Sequence, residues 1–149
     1  RLTRAAPREV RLPVDVATAI ELGPADGALF VVSAAQEPAT LLRAGEPPDP
    51  IVDAARLFSP RISPDGRFVA ATGALRPEDG IQLLLVDLAR GTARALAAGR
   101  GVPSDPAWSP SGDVIAFRDS LTQTVWTLDV DSDEAKDTGV RADEGGLAW

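Results

Sequence analysis

The sequence predicts an all-β chain assembled from repeated units of four antiparallel strands. Three observations carry that prediction. Thirteen Gly and 13 Pro in 149 residues punctuate the chain too often for long helices. Between them lie runs of four to eight residues rich in Val, Ile, Phe, Trp and Thr, which are strand signals. One phrase is also written more than once: RISPDGRFVAATG at residues 61–73 returns as AWSPSGDVIAFRD at residues 107–119, with a blurred copy, ELGPADGALFVVS, at residues 21–33. Gly66 and Gly112 close the two clear turns 46 positions apart, and Gly27 closes the blurred one 39 positions before Gly66. A period near 40 with slippage marks a repeat architecture.

Taken in order, residues 1–13 read as a lead-in or the end of a preceding unit, 14–58 as a degenerate first unit, 59–102 as a second, 103–140 as a third and 141–149 as the start of another. The second unit supplies the strands RIS, RFVAAT, IQLLLVDL and TARALAA. The third supplies PAWS, DVIAFR, TVWTLDV and EAKDTGV. The first strand of each is expected to be very short. DLARGTARAL is rejected as a helix because Gly91 and Thr92 interrupt it and its counterpart DVDSDEAKDTG holds poor helix formers. In each second strand Phe30, Val69 and Ile115 align, as do Val32, Ala71 and Phe117, while the intervening Val31, Ala70 and Ala116 are apolar too. A sheet wetted on one side alternates apolar with polar residues, and these runs do not, so each sheet is expected to lie between neighbours. Four-stranded sheets stacked face to face around an axis form a β-propeller. About three blades fit this chain, an incomplete ring.

The residues resemble the TolB-like, WD40-like propeller repeats, whose signature is an apolar residue or Trp, Ser-Pro-Asp-Gly, an apolar strand, and a later apolar strand ending in Asp. Ser63-Pro64-Asp65-Gly66 matches fully; the third unit departs at Ser111, and the first departs by an extra residue and a missing Ser. Ile62 and Trp108 hold the position before the turn, and Asp87 and Asp129 hold the later Asp. The likeness covers the chain from about Ala19 onward. It implies rings of six or seven blades, and an extracytoplasmic place in the periplasm or cell envelope, since TolB-like proteins are often exported. Arg1 in place of Met suggests a piece of something longer, and Trp149 stands one repeat after Trp108. An open blade face leaves about 400 Å² of apolar surface uncovered, roughly 10 kcal/mol of forgone burial. Self-association through terminal blades, or further blades in a parent chain, is expected to cover it.

Composition narrows the function. A formal charge of −7 has the wrong sign for nucleic acid or anionic lipid, and the longest apolar stretch, residues 27–32, is far too short to span a membrane. With no His and no Cys, a Ser-His-Asp relay and a thiolate metal site are both impossible. Gly99-Arg100-Gly101 opens like a dinucleotide loop, but Ser104 stands where a third Gly belongs. Asp129, Asp131 and Asp133 open like a calcium loop, but Glu134 and Val140 occupy the positions that require Gly and Glu. Neither a cofactor nor a metal is expected. Trp108 and Trp126 are read as packing residues.

Loops held on a rigid scaffold are where binding residues gather. In a propeller the loops joining fourth to first strands and second to third strands share one face. On that face the sequence predicts Arg61, Arg76, Glu78, Asp79, Asp105, Arg118 and Asp119 as binding residues. The expected function is a non-enzymatic binding scaffold for a protein partner. The alternatives are the gating propeller of a prolyl-oligopeptidase-like hydrolase whose catalytic domain lies elsewhere, or a set of self-assembling blades.

Overall fold

The computed structural model describes residues 17–22, 29–33, 38–44, 47–99, 101–142 and 147. The lead-in, the blurred turn ending at Gly27, the side chain of Phe30 and the terminal Trp149 lie outside the described residues. Those described form three four-stranded antiparallel sheets. Blade 1 holds β1 (Ala17–Leu22), β2 (Leu29–Ser33), β3 (Ala39–Arg43) and β4 (Asp49–Ala54). Blade 2 holds β5 (Arg56–Ile62), β6 (Phe68–Ala74), β7 (Gln82–Asp87) and β8 (Thr92–Ala95). Blade 3 holds β9 (Pro103–Trp108), β10 (Val114–Asp119), β11 (Thr124–Asp129) and β12 (Glu134–Arg141). The first strands β1, β5 and β9 lie successively against one another, so the sheets meet as the wedges of a β-propeller.

Blade 2 shows why neighbours are required. Along β6, Val69 and Ala71 enter a core shared with Leu41 and Val32 of blade 1, while Ala70 enters a second core with Ile115, Phe117 and Trp108 of blade 3. Along β7, Leu84 and Val86 join the first core, and Leu83 and Leu85 the second. Successive strand side chains point to opposite faces, so an unbroken apolar run feeds two cores at once. Each large side chain so buried contributes about 1.5–3 kcal/mol.

Two expectations are corrected. The first strands are not very short: β5 spans 7 residues and β9 spans 6, and β5 starts at Arg56, three positions before the predicted boundary at Ser59. Each continues through a bulge at Ser59 (φ 46°) and Asp105 (φ 51°), both followed by Pro. The bulge interrupts the ladder and disguises one strand as a loop plus a fragment. Secondly, Val32 does not share the face of Ala71 and Phe117. It pairs with Leu41 and faces blade 2, the side to which Ala70 points within blade 2's own frame. Leu22 pairs with Leu29 across the same span as Ile62 with Val69, so Gly27 stands one position later in the sequence of its turn than Gly66 does, and an alignment made on glycines slips by one, which reverses the face.

The turn between first and second strands explains the departure at Ser111. In blade 2 the Ser63 hydroxyl donates to Asp65 Oδ1 at 2.6 Å and accepts from Phe68 N at 3.0 Å, while Arg67 N donates to Asp65 Oδ1 at 3.0 Å. In blade 3 the carboxylate has moved two positions on: Ser109 donates to Asp113 Oδ1 at 2.9 Å, Ser111 donates to the same oxygen, and Val114 N donates to the Ser109 hydroxyl at 3.1 Å. Both turns end on a left-handed Gly, Gly66 at φ 74° and Gly112 at φ 79°, where a Cβ is costly. The third unit thus keeps the serine–carboxylate bond by exchanging positions.

This exchange predicts non-additive mutations. Asp113→Arg strands two serine hydroxyls and lowers the urea midpoint; adding Ser111→Asp rebuilds the blade 2 turn, so the double variant should unfold at higher urea than Asp113→Arg alone. Equal or lower stability of the double variant would refute the exchange.

Candidate functional site

Antiparallel topology places the β6–β7 loop, the β10–β11 turn and the segments entering β5 and β9 at one end of the blades. The turns β5–β6, β7–β8, β9–β10 and β11–β12 lie at the other. Of the seven predicted binding residues, Arg76, Glu78 and Asp79 lie in the β6–β7 loop at the first end. The loop is fixed by its own charges: Asp79 Oδ2 accepts from Arg76 N at 3.0 Å, and the Arg76 guanidinium reaches Asp79 at 3.1 Å and Glu78 at 3.7 Å. The Arg76 hydrogen bond holds the Asp79 carboxyl below its ordinary range, and Asp79 in turn raises the guanidinium. Arg76 is exposed and Asp79 half-buried at the surface, so this pairing orders the loop more than it stabilises the fold.

Asp105 and Arg118 form a second, half-buried group. Arg118 Nη2 lies 3.2 Å from Asp105 Oδ2, and Arg118 Nε donates to Ser104 Oγ at 3.1 Å. The bulge in β9 positions Asp105, because its left-handed backbone re-aims the side chain across to β10. The described bonds join residues within each group, not across the two.

The remaining two residues are corrected. Arg61 lies at the end of β5 next to the Ser63 turn, at the opposite end of the blade from Arg76, because β5 is longer than predicted. Its Nη1 donates to Pro60 O at 3.0 Å, and its own carbonyl accepts from Trp108 Nε1 of blade 3 at 2.8 Å. Asp119 is fully buried and is a structural residue. Its Oδ1 accepts from Leu121 N at 2.8 Å and Thr122 N at 3.1 Å, and its Oδ2 from Gly101 N at 2.8 Å. A Cβ at Gly99 or Gly101 would collide with that carboxylate, which accounts for both glycines of the apparent dinucleotide loop.

The three turn aspartates share one device that the sequence marks only as a repeat. Asp87 accepts from Ala89 N and Arg90 N, Asp119 from Leu121 N and Thr122 N, and Asp129 from Asp131 N and Ser132 N. Each turn closes on a left-handed residue four positions on: Gly91, Gln123 and Asp133. Asp133 also accepts from Ala97 N at 2.9 Å and pairs with Arg94 at 3.6 Å, tying blade 3 to blade 2. The apparent calcium loop is therefore a hairpin turn whose Asp129 and Asp133 hold backbone amides. Among the described residues no three acidic side chains converge as a cation site. Trp108 is buried, and Trp126 is half-buried with its Nε1 on Thr122 Oγ1 at 2.9 Å.

Sequence reasoning missed a cleft of about 620 Å³ at the turn end, between blades 2 and 3. Its lining includes Arg67, Phe68, Arg90 and Arg94 from blade 2, and Asp113 and Val130 from blade 3. The two Ser-Pro turns that border it, at Asp65 and at residues 111–113, are marked in the sequence as repeats, but nothing in the sequence shows that they face one cleft.

Two outcomes follow. Asp119→Ala leaves three backbone amides without their acceptor and should cost about 2–4 kcal/mol in urea unfolding; a loss under about 0.5 kcal/mol would contradict the structural role. Hydrogen bonds hold several aspartates below the ordinary value of 3.8: Ser63 for Asp65, Ser111 then Ser109 for Asp113, and Ser132 for Asp129. A folded-state pKa below the unfolded one contributes stability above pH 3.8 and loses it as pH falls through the depressed value. Carboxyl resonances followed by NMR should titrate below 3.8 at these three positions, and ordinary midpoints would contradict the bonds.

Comparison with known proteins agrees with this architecture. Solved structures share the fold at low identity. A TolB of Agrobacterium tumefaciens matches with TM-score 0.66 and 20% identity over 83% of this chain and 48% of its own. A TolB of Acinetobacter baumannii matches with TM-score 0.54 and 20% identity over 87% and 31%. Hydrazine synthase of Kuenenia stuttgartiensis matches with TM-score 0.60 and 18% identity over 91% and 38%. A prolyl endopeptidase structure matches with TM-score 0.57 and 18% identity over 85% and 23%. The chain spans less than half the length of each. No curated protein sequence matches significantly. The model of the SMP-30/gluconolactonase/LRE-like region matches residues 52–143, covering blades 2 and 3 and most of the chain, and the chain therefore belongs to that propeller family.

Proposed function

We propose that this chain is a non-catalytic, partner-binding part of a β-propeller that works in the cell envelope. The observation that carries the reading is the β6–β7 loop: Arg76 and Glu78 are exposed yet held in one geometry by bonds to each other and to the half-buried Asp79, which suits recognition of a protein surface with little ordering cost. Arg118 and Asp105 add a second fixed charge pair toward the same end. The envelope location is what the resemblance to TolB implies, and the Ser-Pro-Asp-Gly turn and later Asp favour a TolB-like, WD40-like repeat type within the wider propeller family.

A specific observation favours a second reading, in which the blades form part of an enzyme: the family description names gluconolactonase, and a prolyl endopeptidase shares the fold. Crosslinking capture from an envelope extract, with the protein and its Arg76→Glu, Arg118→Glu variant, separates the two. One specific partner, lost with the variant, supports binding. Capture of none, together with turnover of a sugar lactone or a proline-containing peptide, would overturn it.

The reading also includes self-association through terminal blades. The far face of blade 3 carries Val114, Ala116, Val125 and Thr127, with only Ala116 buried. Analytical ultracentrifugation at micromolar concentration should show a species larger than 15.5 kDa; a well-folded monomer would refute it.

A further inference from the structure

We infer that the hollow between blades 1 and 2, beside the β6–β7 loop, seats an aromatic side chain of a protein partner that carries a Lys or Arg next to it. The inference rests on the partner-binding reading and names the chemistry the partner presents at that same end of the blades. The hollow measures about 300 Å³, at the lower limit of ligand sites, which suits one large side chain rather than a whole small molecule. Pro38, Asp53 and Ala54 line it from blade 1, Leu75 and Pro77 from blade 2, and Ala55 from the link between the blades. Ala54 belongs to the core that the two blades share, and Leu75 packs against that core. The hollow is therefore where the core reaches the surface, and an aromatic ring seated there extends the same apolar contact. Leu75 and Pro77 flank Arg76. Ala55 N donates to Leu75 O at 3.3 Å and Arg76 N to Asp79 Oδ2 at 3.0 Å, so the hollow is preformed and seating a side chain costs little ordering.

The charges around it select a cation. Among the described residues Asp53 is the one charged group in the lining. It is exposed, and its Oδ1 accepts from the Thr40 hydroxyl at 2.6 Å. A carboxylate has about four acceptor sites, so a partner's ammonium or guanidinium finds capacity there. In the adjoining loop the Arg76 guanidinium donates to both oxygens of Asp79, at 3.3 and 3.1 Å, while Glu78, with its side chain 68% exposed, lies 3.7 Å from Arg76. Three carboxylates thus stand against one guanidinium. Arg56 follows Ala55 in sequence, but Leu57 enters the core shared with blade 1, so Arg56 leaves β5 on the opposite face, toward blade 3. The chain's net charge of −7 acts in the same sense at longer range. An aromatic ring beside a cation also matches the side chains that dominate protein interfaces.

The test is an NMR titration of the ¹⁵N-labelled protein with acetyl-Gly-Lys-Trp-Lys-Gly-amide, with the same peptide carrying Glu for Lys, and with the same peptide carrying Ala for Trp. Saturable shifts at the amides of Ala54, Ala55, Leu75 and Arg76 are expected with the first peptide at up to roughly millimolar concentration. Both altered peptides should bind about tenfold more weakly. Asp53→Lys should weaken binding of the first peptide about tenfold and Asp53→Asn less, and Arg90→Gln, at the other end of the blades, should leave it unchanged. Amide dispersion reports whether each variant is folded, and Asp53→Asn carries the test if Asp53→Lys is not. Absence of saturable shifts, equal binding of either altered peptide, or binding indifferent to the Asp53 variants would overturn the site. Those results leave partner capture and its loss in the Arg76→Glu, Arg118→Glu variant as they stand, so the two failures are distinguishable.

Discussion

The rest of the described structure depends on blade 2 being apolar on both faces. The alternation of Val69, Ala70 and Ala71, and of Leu83, Leu84, Leu85 and Val86, divides one sheet between two cores, so blade 2 owes its burial to blades on either side. Helices and one-sided sheets solve the same problem with a single partner. A wedge needs two, and the solution extends around an axis. Turn chemistry follows from that requirement. Blades packed closely at their first strands leave little room at their ends, and the polar groups there are satisfied locally by carboxylates accepting from the backbone of their own hairpins.

That local economy explains why so many acidic residues carry no chemistry. Asp65, Asp87, Asp113, Asp119 and Asp129 accept from turn amides, serines or both. A fold with short strands has many hairpins, each with amides to satisfy, and aspartate is the shortest side chain that supplies an ionised acceptor. An acidic composition is thus partly a consequence of topology. The arginines pair with carboxylates of the same turns, as Arg76 does with Asp79 in the β6–β7 loop and Arg90 with Asp87 at the cleft.

The architecture was legible because its signals are local and repeated. Gly66 and Gly112 give the period, and the two-faced runs at residues 68–74 and 82–87 give the stacking. The register of blade 1 was not legible, because a glycine displaced by one position between equal spans is a small change in sequence and a complete reversal of facing for Val32. The length of β5 was hidden by the Ser59–Pro60 bulge, and with it the end of the blade to which Arg61 belongs. Asp119 was misread because position beside a loop does not reveal burial: the amide of Gly101, eighteen positions earlier, is what encloses it. The cleft was invisible for the same reason, since it exists only between turns of two different blades.

The indole of Trp108 donates to the carbonyl of Arg61, 47 positions earlier. The bond is heterologous: the donor sits on the following unit, the acceptor on the preceding one, and the two surfaces differ. Contacts of this head-to-tail kind are not satisfied by a two-fold dimer placing like surfaces together; they propagate in one sense until the rotation closes. Ile62 holds the equivalent position in blade 2 and its side chain has no donor to offer, so the indole bond sets the junction of blades 2 and 3 apart from that of blades 1 and 2 and gives the pair a fixed sense of direction.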